Sequence, residues 1–377
     1  MGRNRVKGEG SIYQRPNGRW RAQIYIHGER LTFSAITRKE ALAWLLMIRN
    51  EVKNGLNVEG SKISYSDFLD DWLETKKPQV AEQTWSYYSQ LVRDYMKPKL
   101  GMYKLRELST RRIQGFYNHL VEQGVGLRTI EKNHSVIHAS LNYAVKYGLI
   151  ASNQDAFTDP PKPKKKEIKY LNIEEVKKLF QVAKENNDRN YAMYYLAIVT
   201  GMRQGELLGL QWKNVDMGRG IIKVNQNLKR LPSGKLVFGK PKTKTSIRSR
   251  AIGEETIEVL KDQVKRIKRE RIDENVKALW KEMDMVFPST IGRPIDPTNL
   301  LKKFRQLLKR AGLPRLRFHD LRHTSASIML NNGVDVFVAS RRLGHAKPSI
   351  TLDVYGHLLT SVQNEVGNKM DILIYKE

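Results

Sequence analysis

The sequence predicts a multidomain protein, mainly α with small β-sheets, and three observations predict it. Residues 19–26 alternate apolar and polar side chains as a half-buried strand does. Residues 64–160 carry apolar groups at helical spacing with no strand-like alternation. From residue 170 onward helical runs and short β-like runs are mixed. The proline-rich stretch Asp159-Pro160-Pro161-Lys162-Pro163-Lys164-Lys165-Lys166 separates the last two regions, and its prolines keep it extended. The expected divisions are therefore 1–60, 64–160, a basic linker over 161–169, and 170–377. No internal repeat is visible.

Ser11 to Arg15 reads as a short strand, and Pro16-Asn17-Gly18 as a turn. In Arg19 to Ile26, Trp20, Ala22, Ile24 and Ile26 fall on one face and Arg19, Arg21, Gln23 and Tyr25 on the other. His27-Gly28-Glu29 turns the chain into a third strand, Arg30 to Phe33. Thr37 and Glu40 have capping-box spacing and open a helix through Trp44 and Ile48. In the next region Phe68, Trp72 and Leu73 share a face, as do Ile113, Phe116, Tyr117 and Leu120. Thr129 to Tyr147 is a long amphipathic run that stops at Gly148. Asn172, with Glu175 three residues on, caps the helix that begins the last region. Later strands are expected at Gly220 to Val224, Lys235 to Phe238 and Ser249 to Ile252.

The charge narrows the function. The chain has 377 residues, 67 Lys and Arg against 39 Asp and Glu, and a formal charge of +28. So basic a chain fits a polyanionic partner better than small-metabolite chemistry. A nucleic acid or an anionic membrane could supply the balance. No apolar run is long enough to span a bilayer, and no apolar segment follows Gly2-Arg3-Asn4-Arg5, so the expectation is a cytoplasmic protein without membrane partners. With no cysteine there is no disulfide, thiolate nucleophile or Cys-rich zinc site. Residues 1–60 hold 11 Lys and Arg against 5 acids, and residues 301–350 hold 11 against 2. The basic face of the N-terminal sheet, with Arg19 and Arg21, suits a DNA major groove. The lysines of the linker, Lys164 and Lys165 among them, suit a phosphate backbone.

The chemistry lies in the last region. An apolar helix, Tyr191 to Val199, leads into Thr200-Gly201-Met202-Arg203-Gln204-Gly205-Glu206, where Arg203 and Glu206 stand three apart and can meet. Lys240, Lys242 and Lys244 lie between two expected strands, on what reads as a hairpin tip; Lys244 is favoured as the reaching lysine and Lys242 as a DNA contact. Phe318-His319-Asp320-Leu321-Arg322-His323-Thr324 opens a helix on which His319 and Arg322 share a face. Arg341-Arg342-Leu343-Gly344-His345 supplies a histidine at a helix end, and Tyr355 follows ten positions later in Leu352-Asp353-Val354-Tyr355-Gly356-His357. Two arginines can clamp the oxygens of a phosphodiester, the lysine and histidines can move protons, and a tyrosine can be the nucleophile. His319 and His323 also have the spacing of a metal-ligand pair. Asp320 stands where that motif has Glu, however, and Arg322 would repel a dication, so no metal is assigned.

In the order and spacing of these motifs the chain resembles the tyrosine recombinases of phages and conjugative transposons. The resemblance covers nearly the whole chain: residues 11–50 are similar to an arm-type DNA-binding domain, 64–160 to a helical core-binding domain, and 170–377 to the α+β catalytic domain. It implies cofactor-free DNA cleavage, with Arg203, Lys244, His319, Arg322, His345 and Tyr355 catalytic and Glu206 supporting. In that scheme Tyr355 attacks the scissile phosphate to give a 3′-phosphotyrosine, and His319 is its base. Lys244 protonates the leaving 5′-oxygen, and His345 bonds a phosphate oxygen. The resemblance also implies a homotetramer on DNA attachment sites, with a DNA-bending host factor and an excisionase as possible partners. The apolar tail Met370, Ile372, Leu373 and Ile374 could dock on a neighbour or fold back. The rival functions are a type IB topoisomerase, which shares the chemistry, a DNA-binding regulator with a silent site, and a zinc hydrolase.

Overall fold

A computed structural model describes residues 9–26, 29–53, 63–164, 167–239, 248–356 and 374. The chain divides into two compact units, Met1–Lys165 and Lys166–Glu377. No described helix is long and apolar enough to cross a membrane.

The first unit contains two separate hydrophobic cores. One lies under an antiparallel sheet of strands β1 (Ser11–Gln14), β2 (Trp20–Ile26) and β3 (Glu29–Ala35), in that order. Gly18 takes φ +77° in the turn before β2, a conformation that Cβ-bearing residues avoid. The register pairs Ala22 with Phe33 and Ile24 with Leu31. Ala22, Ile24, Ile26, Leu31 and Ala35 are buried against Ala41, Leu45 and Ile48 of helix α1 (Arg38–Lys53). The Glu40 amide donates to Thr37 Oγ1 (3.2 Å) and the Thr37 amide to Glu40 Oε2 (3.3 Å), so the capping box forms. β3 starts earlier and runs two residues beyond Phe33, because Ser34 and Ala35 pair with Arg21 and Trp20. Of the expected turn at 27–29, His27 and Gly28 lie outside the described residues and Glu29 is in the strand. On the face away from α1, Arg21 Nη2 donates to Thr32 Oγ1 (3.2 Å) and Arg30 Nε to Gln23 Oε1 (3.1 Å). Arg19 is exposed just before β2.

The second core is helical: α2 (Tyr65–Lys76), α3 (Glu82–Leu91), α4 (Lys97–Leu100), α5 (Thr110–Glu122) and α6 (Leu127–Lys146). Phe68, Trp72, Ile113, Phe116, Tyr117, Ile137 and Leu141 fill it. α6 begins two residues before the expected Thr129, since Gly126 serves as its cap. A short 3-10 turn, Gln154–Phe157, ends the unit's regular structure. Lys164 is exposed on the extended linker, and Lys165 lies outside the described residues.

The second unit begins with α7 (Ile173–Glu185), whose Asn172 and Glu175 form the expected capping box. α8 (Tyr191–Thr200) is apolar almost all round, as a central helix must be. Its Tyr194 packs with Phe304 of α12 (Pro297–Arg310) and with Phe318, which leads into α13 (Asp320–Asn331), and the three ring centroids are 5.5–6.2 Å apart. The remaining elements are α9 (Gln204–Leu208), β4 (Val215–Asp216), β5 (Ile221–Val224), β6 (Asn227–Arg230), β7 (Leu236–Gly239), β8 (Arg248–Ala251), α10 (Glu254–Ile272), α11 (Glu274–Lys277), α14 (Val336–Leu343) and α15 (Pro348–Tyr355).

The strands pair differently from the sequence expectation. β7 pairs with β6, a strand the sequence pattern does not reveal, while β8 pairs with β5 and β5 with β4. The expected partners around Lys242 and Lys244 therefore belong to two different sheets and are not paired with each other. Asn227–Arg230 is short, and its apolar content is only Leu228, which hides it. Both lysines, at 242 and 244, lie outside the described residues.

Candidate active site

Gly201 ends α8 in the left-handed region (φ +62°), and a Cβ there would lie 2.6 Å from Leu343 Cδ2. The chain can thus turn sharply and press against α14. Arg203 follows at the start of α9. Its amide donates to Glu206 Oε2 (2.9 Å), its Nη1 to Glu206 Oε1 (3.0 Å), and its Nη2 to the Gly344 carbonyl (3.2 Å). Gly344 is itself left-handed (φ +72°) at the end of α14, and a Cβ on it would meet Arg248 Nε at 2.7 Å. Only glycine lets the two segments approach this closely.

Glu206 is buried and shared. Arg248 of β8 donates Nη1 to its Oε1 (2.9 Å) and Nη2 to its Oε2 (2.7 Å), a bidentate pair. Burial pushes the Glu206 carboxyl up, but Arg248, with Arg203 behind it, outweighs burial and holds it below the usual carboxylate range.

Arg322 on α13 is 4% exposed and donates Nη1 to the Gly201 carbonyl (2.7 Å). Its Nη2 is buried without a hydrogen-bond partner among the described residues. Desolvation, then the charge of Arg203, lowers its pKa to about 9. Arg250, next but one to Arg248 on β8, is also buried. It donates Nη1 to the Arg341 carbonyl (3.0 Å), while its Nε and Nη2 have no partner among the described residues. Desolvation and then Arg248 lower it to about 9. Two guanidinium groups thus pair with one carboxylate and two more are buried close by, and among the described residues N–H donors of Arg250 and Arg322 are left over. Such an arrangement is built to receive an anion.

His345 follows Gly344, and its Nδ1 lies 2.8 Å from Thr351 Oγ1. Desolvation, then Arg322 and Arg203, lowers it to about 4. His319 is brought to about 4 by desolvation and then by His323. Both rings are neutral at pH 7.

Tyr355, the last residue of α15, is buried among Ala326, Leu330, Ala339 and Leu343. Desolvation pushes its hydroxyl up to about 12, although Arg322 pulls it down. Its hydroxyl lies 2.5 Å from His323 Nδ1. The resemblance implies His319 as the base for Tyr355. The hydrogen bond is instead with His323, and His319 stands edge-on to the His323 ring, centroids 5.4 Å apart.

The structure therefore brings Arg203, Glu206, His319, Arg322, His345 and Tyr355 together, while Lys244 lies outside the described residues. Sequence reasoning misses Arg248, Arg250 and the Tyr355 contact of His323. The signal for the first two is present: in Arg248-Ser249-Arg250 strand alternation puts both arginines on one face. By spacing alone, His323 reads only as a metal ligand.

A buried arginine cluster with a tyrosine hydroxyl at its edge has the charge and the donors to receive a phosphate group. The phage integrase family profile matches residues 169–361, and the profile of the phage integrase N-terminal SAM-like domain matches residues 64–121. A "Tyrosine recombinase XerC-like" protein of Caldanaerobacter subterraneus is 33% identical over 363 residues, which is 92% of either chain. Among solved structures, the Tn1549 transposon integrase with a circular intermediate DNA superposes with a TM-score of 0.69 (18% identity, 78% of this chain and 94% of that one). A lambda integrase tetramer bound to a Holliday junction gives 0.56 (19% identity, 92% and 96%). The chain belongs to the phage integrase family and is a tyrosine recombinase, a site-specific DNA strand transferase.

Proposed function

We propose that this recombinase integrates and excises a mobile element in the bacterial cytoplasm, acting as a homotetramer on paired DNA attachment sites. The observation that carries the reading is the Tyr355 hydroxyl hydrogen-bonded to a histidine beside the Arg322 guanidinium. Tyr355 Oη attacks the scissile phosphorus, a bond to phosphorus forms, and the bond to the 5′-oxygen breaks. With a pKa near 12 in the free enzyme, the hydroxyl needs a proton acceptor. His323 Nδ1 is in place to take that proton, with His319 edge-on to its ring. Arg203 and Arg322 hold the non-bridging oxygens, and His345 donates to one of them. Glu206 and Arg248 keep Arg203 at its angle. Lys244 gives the departing 5′-oxygen its proton. A free 5′-hydroxyl from a partner strand reverses the step and joins a new pair. The basic sheet with Arg19 and Arg21, together with Lys164, Lys165 and Lys242, grips DNA. A host DNA-bending factor and an excisionase would set direction.

A nicked suicide duplex tests this. The expected result is a covalent protein–DNA band and, on full sites, recombined product. Binding without a band would make the chain a silent regulator. Relaxation of arbitrary supercoiled DNA without recombinants would make it a topoisomerase of type IB.

The lysine has its own test. General-acid help matters for a strongly basic leaving oxygen and little for a weakly basic one. Lys244→Ala should slow cleavage by roughly 10²–10⁴-fold, and sulfur at the 5′-bridging position should restore most of the rate. Rescue of Lys242→Ala instead would move the role to Lys242.

Removing residues 1–60 should spare cleavage of a short core site and depress recombination on sites with flanking arm sequences. The log–log salt slope of full-site binding should become shallower by about 0.9 for each phosphate that the shortened chain no longer neutralises. An unchanged slope would reduce the sheet to a protein-contact module.

A further inference from the structure

The helical module holds a second polar centre that the strand-transfer chemistry does not use. α6 carries His134 and His138 four residues apart, so both rings leave the same side of the helix. The turn Gln154–Phe157 brings Asp155 against them, fully buried. Asp155 Oδ2 lies 3.0 Å from His134 Nδ1 and 3.1 Å from His138 Nδ1. The other oxygen, Oδ1, accepts from the Tyr117 hydroxyl (2.7 Å) and the Thr158 hydroxyl (3.1 Å) and also lies 3.2 Å from His134 Nδ1. The Asp155 amide donates to Asn153 Oδ1 (2.9 Å). The three potential ligand atoms lie within 4.8 Å of one another.

We infer that His134, His138 and Asp155 form a binding site for a divalent transition-metal ion, zinc by preference. Two imidazoles and a carboxylate are a common three-ligand zinc set, with water as the fourth ligand. With bonds near 2.0–2.1 Å, the corners of a tetrahedron are about 3.3 Å apart, and the 3.0 and 3.1 Å separations are within a few tenths of that. The carboxylate is oriented as metal-bound carboxylates are. Two hydroxyls tie down Oδ1, and Oδ2 is the oxygen nearest to both nitrogens, which also lie near the Tyr117 hydroxyl (3.3 Å from His134 Nδ1) and Asn153 Nδ2 (3.4 Å from His138 Nδ1). Access exists from the solvent side, because the His134 and His138 side chains are 29% and 40% exposed. Protons on the two nitrogens would fit the same separations, so proton and metal compete for one place. The position has a consequence. Four residues after Asp155, Asp159 exchanges two hydrogen bonds with Gln114 of α5, Gln114 Nε2 to its carbonyl and its amide to Gln114 Oε1. An ion at Asp155 would therefore fix the root of the linker to α5 and α6.

The test is a cobalt(II) titration of the full-length protein at neutral pH, followed by displacement with zinc(II). The expected result is the visible absorption of a four-coordinate ion, saturating at one equivalent and erased by zinc, with a rise in melting temperature. His134→Ala and His138→Ala should each weaken binding at least about 100-fold, and Thr158→Val about 10- to 100-fold, the range seen when an outer-shell partner is removed. Since His138 is part-exposed, its variant should fold, and far-UV circular dichroism checks this. His323→Ala should bind as the native chain does, which excludes the catalytic-unit histidines as the site. No saturable binding, binding unchanged in both α6 variants, or loss in His323→Ala overturns the inference. So does a native melting temperature that chelator and zinc leave unmoved, which would make the centre a protonated hydrogen-bond cluster.

Discussion

Tyr355→Phe will bind an attachment-site duplex as the native chain does and form no covalent adduct with it. The ring is held by Ala326, Leu330, Ala339 and Leu343, and phenylalanine keeps those contacts. What goes is the hydroxyl and its hydrogen bond to His323, worth about 1 kcal/mol to the fold. The loss of chemistry should be complete, because no other described tyrosine combines a histidine partner with a neighbouring Arg322. Trapping on a nicked suicide substrate reads the result directly. An adduct that persists in Tyr355→Phe would assign the nucleophile to another residue.

Arg322→Ala should cost cleavage on the order of 10³–10⁵-fold, the scale of a guanidinium that meets charge developed during phosphoryl transfer. It should also leave the melting temperature unchanged or raised. Arg322 is desolvated beside Arg203 and Arg248, and its hydrogen bond to the Gly201 carbonyl is what it returns to the free protein. A guanidinium pKa brought down to about 9 means that keeping the group charged costs the unliganded fold on the order of a few kcal/mol. The folded and unfolded values both lie above neutral pH, so this cost is constant across the working range. Single-turnover cleavage and thermal unfolding of the same variant separate the two effects. A fall of many degrees with cleavage intact would make Arg322 a structural residue.

Much of this is legible in the sequence because local rules govern it. The strand alternation in Trp20 to Ile26, the capping pairs Thr37–Glu40 and Asn172–Glu175, and the helical faces around Trp72 and Phe116 each depend on neighbours a few residues away. Arg203 and Glu206 are readable together for the same reason. What escapes depends on contacts distant in sequence. Arg248 reaches Glu206 across 42 positions, and Tyr355 reaches His323 across 32. Spacing alone cannot choose between His319 and His323, which differ by one helical turn. β6 escapes because a four-residue strand with a single buried apolar residue has almost no pattern of its own.

The arginine cluster around Glu206 is out of electrical balance. Among the described residues, Arg203 and Arg248 pair with Glu206 while Arg250 and Arg322 are buried close by, so the cluster carries more positive than negative charge. A ground-state phosphodiester brings one negative charge and quenches only part of that surplus. As the tyrosine oxygen adds, the phosphorus centre becomes more anionic, and the remaining surplus is met more closely. If the proposed roles hold, the pocket's excess charge discriminates between resting DNA and DNA in the act of being cut, which favours passage over the barrier more than occupancy.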